Sequence, residues 1–344
     1  MKRRGAVLVE PGHFEIEEDE ISLGPGELLV AIEAAGLCSW DLVYYQGRWR
    51  EKVPRWLGGE ISGPGAELYT YEEWGEYPKR LGHEPVGRIV EVGRGVRGFA
   101  PGERVTGFFG EAFADVAIAP AGQVLKVPPG IPPEHALGEP LSNVVIAVRA
   151  ASVEIGDYVL LIGCGCLGLN ILSGLAGTLA AEIIAVDLKT DALRLAGECG
   201  ATITLNAGQV DVIEEVLRIT EGRGVNVAIE ACGVPAVFDT CAACLRREGG
   251  GRFILAGGHM SPATYDLAPL CIYGAVVRAA WPRHSRDRMD DLRRALLMLA
   301  RGRFPMGRLI THRFRLEEIG QAFEIMLHRP RGYIKGIVVE AAPP

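Results

Sequence analysis

Short apolar stretches separated by glycines characterise the first third of the chain. Apolar residues fill most positions of 28–32, 89–92 and 114–118, and each of these stretches has the length of a strand rather than of a helix. Runs of this kind, bounded by turn-forming residues, are typical of antiparallel sheets. The pattern therefore predicts a mainly β unit from Ala6 to about Ala119.

A different pattern begins after the turn at 127–130, where apolar strands alternate with helical segments. Such alternation indicates βαβ units and a parallel, doubly wound sheet. The predicted strands are Tyr158–Ile162, Ile183–Val186 and Val225–Ile229, and the predicted helices are Leu167–Leu179 and Ala192–Glu198.

The last part of the chain has its own pattern: a helix near Arg286–Arg301, then a strand at Leu309–Phe314, a helix at Glu317–Leu327 and a strand at Ile334–Val339. We expect this tail to return to the first unit. The predicted class is α/β, with a mainly β domain made of residues 1–144 and 286–344 and a dinucleotide-binding domain made of residues 145–285.

Composition narrows the possible partners. The chain has 344 residues, which suggests two domains, and its net charge of −7 provides no basic surface for nucleic acid or anionic lipid. It has no apolar run long enough for a membrane span and no signal-peptide core after Met1, so we expect a cytoplasmic protein with a small-molecule substrate. Its eight cysteines are more typical of buried thiols or metal ligands than of a disulfide framework.

A glycine-rich turn follows the predicted strand Tyr158–Ile162 and opens the next helix. In such a turn the glycines let the backbone approach a pyrophosphate, which then lies at the positive end of the helix. Asp187, at the end of the following strand, is expected to accept hydrogen bonds from the adenosine ribose and to repel the 2′-phosphate of NADP. This favours NAD over NADP, although nearby Lys189 would suit a phosphate. The candidate coenzyme-binding residues are Gly163, Gly165, Leu167, Gly168, Asp187 and Lys189. A turn without a ligand is the alternative.

Groups that bind zinc well occur upstream of this turn. Cys38 offers a thiolate, His83 an imidazole and Glu84 a carboxylate, and Glu139 supplies a second carboxylate just before the dinucleotide fold. A catalytic zinc site has three protein ligands and one open position. Each residue alone is more typical of a protein core, but their coincidence with a nucleotide fold favours a metal site.

Several motifs together resemble the zinc-containing medium-chain dehydrogenases, most of all the sorbitol and threonine dehydrogenase branch. The resemblance spans nearly the whole chain. It lies in 82–84, the strand 87–93 with 101–105 after it, 139–141, the nucleotide turn and 332–335. It implies a GroES-like catalytic domain beside a Rossmann domain. It also implies that Cys38 and His83 are zinc ligands, that Glu84 or Glu139 completes the set, and that the protein is a homodimer or homotetramer.

Three departures from that family change the expectations. Trp40 replaces the Ser or Thr that commonly relays a proton, and Ser39 should point elsewhere, which leaves Tyr44, Tyr45 or a water held by Glu84 or Glu139. The four-cysteine lobe that holds a structural zinc in many relatives is missing, so one catalytic zinc is predicted. An irregular insertion, Trp49–Arg80, separates Cys38 from His83.

The aromatic residues of the insertion either line a substrate cleft or pack the loop onto the body. They are Trp49, Trp56, Tyr69, Tyr71, Trp74 and Tyr77.

The predicted function is a zinc-dependent transfer of hydride between NAD and a secondary alcohol, namely a polyol, sugar, cyclitol or amino alcohol. Cys38, His83, Glu84 and Tyr44 are the candidate catalytic residues. Two alternatives keep the fold: a zinc-independent quinone or enoyl reductase, and an inactive nucleotide-binding relative, for which Trp40 is the only support.

Overall fold

A computed structural model of the chain describes residues 1–48, 77–259 and 263–339. The chain divides into two compact units. The first comprises the described parts of Met1–Glu139 and Met306–Pro344, and the second comprises Pro140–His259 and the segment Ala263–Pro305.

The first unit is built on a seven-stranded sheet and a separate hairpin. The hairpin pairs β1 with β2, and the sheet has the order β14-β15-β3-β4-β5-β7, with β6 paired to β3. The strands are β1 (Lys2–Glu10), β2 (His13–Glu20), β3 (Glu27–Gly36), β4 (Pro85–Val92), β5 (Arg104–Gly107), β6 (Val116–Pro120), β7 (Val124–Lys126), β14 (Ile310–Phe314) and β15 (Lys335–Val339). The helices are α1 (Asp41–Tyr45), α9 (Met306–Leu309) and α10 (Ile319–His328), with 3₁₀ turns at Ala121–Gln123, Pro133–His135 and Leu316–Glu318.

The core of the first unit lies around β3, because most side chains of this strand are buried and it pairs with β4, β6 and β15. Aromatic rings complete the core beside α10. Phe323 packs edge-on against Phe113 at a centroid distance of 5.8 Å, and its ring is tilted against that of Phe14 at 4.9 Å. Aromatic pairs in such geometries stabilise a core beyond what the burial of their apolar area contributes.

The second unit is a six-stranded, wholly parallel sheet in the order β10-β9-β8-β11-β12-β13. Its strands are β8 (Tyr158–Ile162), β9 (Glu182–Asp187), β10 (Ile203–Asn206), β11 (Val227–Glu230), β12 (Arg252–Leu255) and β13 (Val276–Ala279). The helices are α2 (Gly138–Ala151), which begins at the end of the first unit, then α3 (Cys166–Leu175), α4 (Thr190–Glu198), α5 (Val212–Ile219), α6 (Pro235–Cys244), α7 (Ala268–Ile272) and α8 (Arg288–Ala300), with a 3₁₀ turn at Pro282–His284.

The strand order gives this sheet a switch point between β8 and β11. Strands β9 and β10 are added on one side of β8, and strands β11, β12 and β13 are added on its other side. In such sheets ligands bind in the crevice outside the carboxyl ends of the strands at the switch point. The predicted α/β class, with a mainly β part and a doubly wound parallel sheet, is therefore confirmed.

One predicted helix end differs from the observed one. Helix α3 ends at Leu175 rather than at Leu179, because Gly177 adopts a φ of +80° that breaks the helix. Helix α8 lies in the second compact unit, where its buried Asp291 is paired with Arg149 of α2. The predicted domain limits themselves stay a prediction.

Among the described residues, no helix is both long and apolar enough to cross a membrane.

Candidate functional site

The register of the sheet brings Cys38 and His83 together. Strands β3 and β4 run antiparallel, and Ala35 lies opposite Pro85. Cys38 follows the end of β3, while His83 and Glu84 come just before β4, so both segments leave the sheet at the same place. The amide of Gly36 donates a hydrogen bond of 3.0 Å to the carbonyl of Glu84, which fixes this junction.

Cys38, His83 and Glu84 form what we call the donor cluster. One ligand atom of each residue lies within 4.8 Å of the others, and no other such group of three occurs in the described part of the chain. Zinc bonds of about 2.0–2.3 Å in a tetrahedron separate ligand atoms by roughly 3.5 Å, so this spacing is compatible with zinc. Sulfur, nitrogen and oxygen donors are also the set that zinc accepts.

Asp41 orients the imidazole of the donor cluster. Its Oδ1 lies 3.1 Å from His83 Nδ1, and its side chain is buried in the first turn of α1. Because Nδ1–H donates to this carboxylate, Nε2 is the ring nitrogen left for a metal. Oδ2 of Asp41 is buried and has no hydrogen-bond partner among the described residues.

Burial and neighbouring charges shift both titratable donors. Burial raises the pKa of the Cys38 thiol, and the nearby His83 opposes that shift. Burial lowers the pKa of His83, but Asp41 and Cys38 outweigh it, so the pKa of this imidazole lies above its ordinary value. A metal requires the opposite protonation states, thiolate and neutral imidazole, so its binding would release protons.

Lys335 holds the carboxylate of the donor cluster. Its Nζ forms a buried ion pair with Glu84 Oε2 and donates a 2.8 Å hydrogen bond to the carbonyl of Leu37. Lys335 is the first residue of β15, which pairs with the end of β3. A buried carboxylate needs such a partner, because an unpaired charge in the interior is costly.

Gly36 makes room for Glu84. A Cβ at position 36 would lie 1.9 Å from Glu84 Oε2 and 3.0 Å from Glu84 Cβ. Only glycine therefore allows the carboxylate to occupy its present position beside Lys335.

The other candidates of the first unit contact residues outside the donor cluster. Tyr44 is partly buried, its ring is 4.7 Å from Lys79 Nζ, and burial together with Asp41 raises the pKa of its hydroxyl. The hydroxyl of Tyr45 instead donates to Glu324 at 2.6 Å, and Ser39 accepts a hydrogen bond from Arg329 at 2.8 Å. Tyr45 and Ser39 are thus held by other partners.

Glu139 is not part of the donor cluster. It lies in the first turn of α2 and is partly buried. The structure therefore brings one of the two candidate carboxylates, Glu84, to Cys38 and His83.

Most of the aromatic insertion lies outside the described residues, including Trp49, Trp56, Tyr69, Tyr71 and Trp74. Tyr77 is described, and its hydroxyl donates to the carbonyl of Tyr44 while its ring packs against the core of the first unit. The contacts of Tyr77 therefore agree with the expectation that the aromatic residues pack the insertion onto the body of the protein.

In the second unit, each of the three glycines of the nucleotide turn is required for a different steric reason. Gly163 has a φ of +108°, and a Cβ there would lie 2.6 Å from Cys232 Sγ. A Cβ on Gly168 would lie 1.9 Å from the carbonyl oxygen of Gly163, so this glycine permits close packing of α3 on β8. Gly165 faces open space just before α3, where a phosphate could approach the backbone. Leu167, in the first turn of α3, is partly buried.

Asp187 is anchored at the end of β9. Its Oδ2 accepts a hydrogen bond of 2.8 Å from the amide of Cys164, and its Oδ1 accepts one of 2.9 Å from the amide of Lys189. The carboxylate is partly exposed, so its oxygens keep lone pairs for a ribose hydroxyl. Lys189 itself is exposed.

Sequence reasoning missed the roles of Asp41 and Lys335. Both lie in motifs that were noticed, but no local pattern distinguishes them from surface charges. Their burial was the missing information.

Two family models match the chain. One, described as an alcohol dehydrogenase GroES-like domain, matches residues 24–68 and 65–129, and the other, described as a zinc-binding dehydrogenase, matches residues 166–297. Together they cover more than half of the sequence.

Characterised relatives match over nearly the full length. An L-threonine 3-dehydrogenase of Pyrococcus horikoshii is 30% identical over 342 residues, which cover 90% of this chain and 91% of the relative. An erythritol/L-threitol dehydrogenase of Mycolicibacterium smegmatis is 28% identical and covers 94% of each chain. A solved structure of a proposed zinc-binding dehydrogenase from Sinorhizobium meliloti 1021, bound to NADP, has a TM-score of 0.79 at 25% identity and covers 98% of this chain and 99% of that one.

Proposed function

The chain belongs to the zinc-binding alcohol dehydrogenase family, and on that premise we propose that it oxidises a secondary alcohol with NAD by means of one zinc ion. The substrate class is a polyol, sugar, cyclitol or amino alcohol. The observation that carries the proposal is the donor cluster, in which a thiol, an imidazole and a carboxylate lie within 4.8 Å of one another.

Cys38, His83 and Glu84 are the residues that would hold the zinc ion. Bound zinc supplies a Lewis acid that lowers the pKa of the substrate hydroxyl. Asp41 keeps His83 in the tautomer whose Nε2 is free, and Lys335 keeps the carboxylate of Glu84 beside the other two donors. Glu139 is the alternative third ligand, and its position outside the donor cluster supports Glu84.

Tyr44 is the residue that we propose to pass the substrate proton towards solvent. It lies in α1, the helix whose first residue, Asp41, bonds to the imidazole of His83, which supports a position near the donor cluster. A relay hydroxyl hands on one proton as it accepts another, so the raised pKa of Tyr44 is compatible with this role. Trp40 has no hydroxyl and cannot replace it.

NAD is the proposed coenzyme because Asp187 presents a carboxylate where the adenosine ribose of a dinucleotide binds. A 2′-phosphate would meet that negative charge. Two observations favour NADP instead: the structural neighbour bound to NADP, and the exposed Lys189. A ratio of kcat/KM for NADP over NAD below one is therefore expected.

The positions of the cysteines in the sequence support a single zinc ion per chain. Cys38 is the only cysteine in the sequence before Cys164, so residues 1–163 lack the four thiolates of a structural zinc site. Metal analysis of the purified protein should give about one zinc per chain.

The names of the relatives support the substrate class. Threonine, erythritol and threitol each carry a hydroxyl next to a second polar substituent, and the two relatives are named for their oxidation. Fold alone does not choose a substrate, so this class comes from the relatives.

The decisive experiment is a screen for NAD reduction over polyols, sugars, cyclitols, amino alcohols and simple alcohols, with zinc measured on the same sample. Cys38→Ala and His83→Ala should abolish turnover while NADH binding, followed by fluorescence, is kept. Cys271→Ala, which removes an exposed thiol from the second unit, is the matched control and should keep full activity. Full activity in the metal-free protein would instead support a zinc-independent reductase.

A further inference from the structure

A polar network in the second unit, centred on one buried carboxylate, has no part in the reaction proposed so far. It consists of Glu230, His259 and Tyr265. Glu230 is the last residue of β11 and is fully buried. Its Oε2 lies 2.6 Å from His259 Nε2, and His259 Nδ1 lies 3.1 Å from the Tyr265 hydroxyl. The arrangement is satisfied when Nε2–H donates to the carboxylate and Nδ1 accepts from the tyrosine.

Glu230 also joins two loops. Its Oε1 accepts hydrogen bonds from the amides of Cys232 and Gly233, at 2.6 and 2.7 Å, in the loop after β11. Its main-chain carbonyl accepts from the amides of Ala256 and Gly257, at 2.8 and 2.9 Å, in the loop after β12. His259, in this second loop, returns to the same carboxylate. One residue therefore holds both loops.

The two loops also touch each other through glycines. A Cβ on Gly257 would lie 2.2 Å from the amide nitrogen of Gly233, and a Cβ on Gly233 would lie 2.9 Å from the carbonyl oxygen of Gly258. Because the two loops pack this closely, we expect their arrangement to depend on the hydrogen bonds that Glu230 makes to both of them.

The position of these loops in the sheet indicates what they contact. A doubly wound sheet has two mononucleotide-binding halves, and a dinucleotide lies across the carboxyl ends of both. The half formed by β8, β9 and β10 carries the glycine turn and Asp187, which suit the adenosine nucleotide. The half formed by β11, β12 and β13 is left for the nicotinamide nucleotide, and the loops after β11 and β12 lie at its carboxyl end.

We infer that His259 is a positioning residue for the nicotinamide half of the coenzyme. By bridging Glu230 and Tyr265 it holds residues 231–233 and 256–259 in the conformation that receives the nicotinamide ring. This inference rests on the proposed function, because it assumes that a nicotinamide dinucleotide binds. Loops that are ordered beforehand lose less conformational entropy on binding, so the network raises coenzyme affinity without touching the reacting atoms.

The test compares NADH with ADP-ribose, which lacks the nicotinamide ring, on the full-length zinc-loaded protein by calorimetric titration. His259→Leu removes both hydrogen bonds and leaves Oε2 of Glu230 without its partner, so NADH affinity should fall about tenfold or more, as for a lost bond to a charged group. ADP-ribose affinity should change less than about twofold. Equal losses for the two ligands, or no loss for NADH, would overturn the inference.

Two polar substitutions keep the test valid if His259→Leu does not fold. His259→Gln can still donate to Glu230 and should keep the wild-type ratio of NADH to ADP-ribose affinity. His259→Asn is too short to reach Glu230 but can still meet Tyr265, so its ratio should fall towards that of the leucine variant. Equal ratios in the glutamine and asparagine variants contradict the role of the Glu230 bond.

Arg252→Met is the matched control for stability. Arg252 begins β12 at the opposite, amino-terminal edge of the same sheet, where it bonds to the carbonyl of Ser152 and to Glu154 and Asp157. Its loss should lower the unfolding temperature and leave the ligand ratio unchanged. If the wild-type protein binds no NADH, the proposed function fails. If it binds NADH and turns over but His259→Leu keeps the wild-type ratio, only the present inference fails.

Discussion

Asp41 and Lys335 each hold one member of the donor cluster. Asp41 bonds to the imidazole of His83, and Lys335 pairs with the carboxylate of Glu84. Neither residue is a proposed zinc ligand, yet each restricts a donor to one orientation. At the residue scale, the affinity of the site for metal should therefore depend on both.

Asp41→Asn should lower zinc affinity or kcat by about tenfold or more, because loss of the negative charge weakens the hold on His83 Nδ1 and makes the ring a poorer donor. Zinc affinity is measured by competition with a chelator, and kcat by NAD reduction. Asp115→Asn is the control. That carboxylate bonds only to the amides of Arg4 and Val116 among the contacts described, so its loss should cost stability but not zinc affinity. Equal zinc affinity in Asp41→Asn and wild type would contradict the role of Asp41.

A comparison of Glu84→Gln with Glu139→Gln should show which of the two carboxylates is the third zinc ligand. If Glu84 is the third ligand, Glu84→Gln releases zinc at a lower chelator concentration than Glu139→Gln does, because an amide oxygen is a weaker donor than a carboxylate. Zinc content after dialysis, measured on both variants and on wild type, gives the answer. The reverse order would assign the ligand role to Glu139.

At the scale of elements, the junction of β3 and β4 determines the donor cluster. Cys38 and His83 are far apart in the sequence, but the pairing of Ala35 with Pro85 places their segments side by side. The absence of a side chain at Gly36 then lets Glu84 turn towards Lys335. The short helix α1 carries Asp41 to the imidazole in the same way.

Gly36→Ala should displace Glu84 from Lys335, since the new Cβ would lie 1.9 Å from Oε2. We expect a loss of about 1–3 kcal/mol in the free energy of unfolding, as for other overpacked interiors, and a larger relative loss of zinc affinity. Thermal unfolding and chelator competition measure the two effects. Gly122→Ala, in the same unit but with no atom within 4 Å of its Cβ, should change neither. A Gly36→Ala variant with normal zinc affinity would show that Glu84 does not need this position.

At the scale of the whole molecule, the edge strand β13 of the second unit carries exposed apolar side chains. Strand β13 pairs with β12 and has no second strand neighbour among the described residues. Val276 and Val277 on this strand are exposed, and so is Ile272 of α7. Apolar residues on an open edge strand invite pairing with another chain, which supports the homodimer or homotetramer that the family resemblance implies.

Val277→Lys should weaken that association, because a charge on the edge strand would be buried without a partner at the interface. Analytical ultracentrifugation over a range of concentrations should show a shift towards monomer. Ile155→Lys changes a more exposed apolar residue in the loop before β8 and should leave the assembly unchanged. If both variants sediment as wild type does, the interface lies elsewhere.

Local patterns in the sequence were enough to predict the two parts of the fold, the nucleotide turn with Asp187, and the residue types of a zinc site. These features depend on hydrophobic periodicity, on the backbone freedom of glycine and on donor chemistry, all of which short segments carry. Tertiary structure decided which carboxylate lies beside Cys38 and His83, and it supplied the contacts on which the proposed roles of Asp41, Lys335 and His259 rest. Each of these depends on the register of strands distant in sequence and on burial, since a charged side chain is fixed to one partner only where water cannot replace that partner.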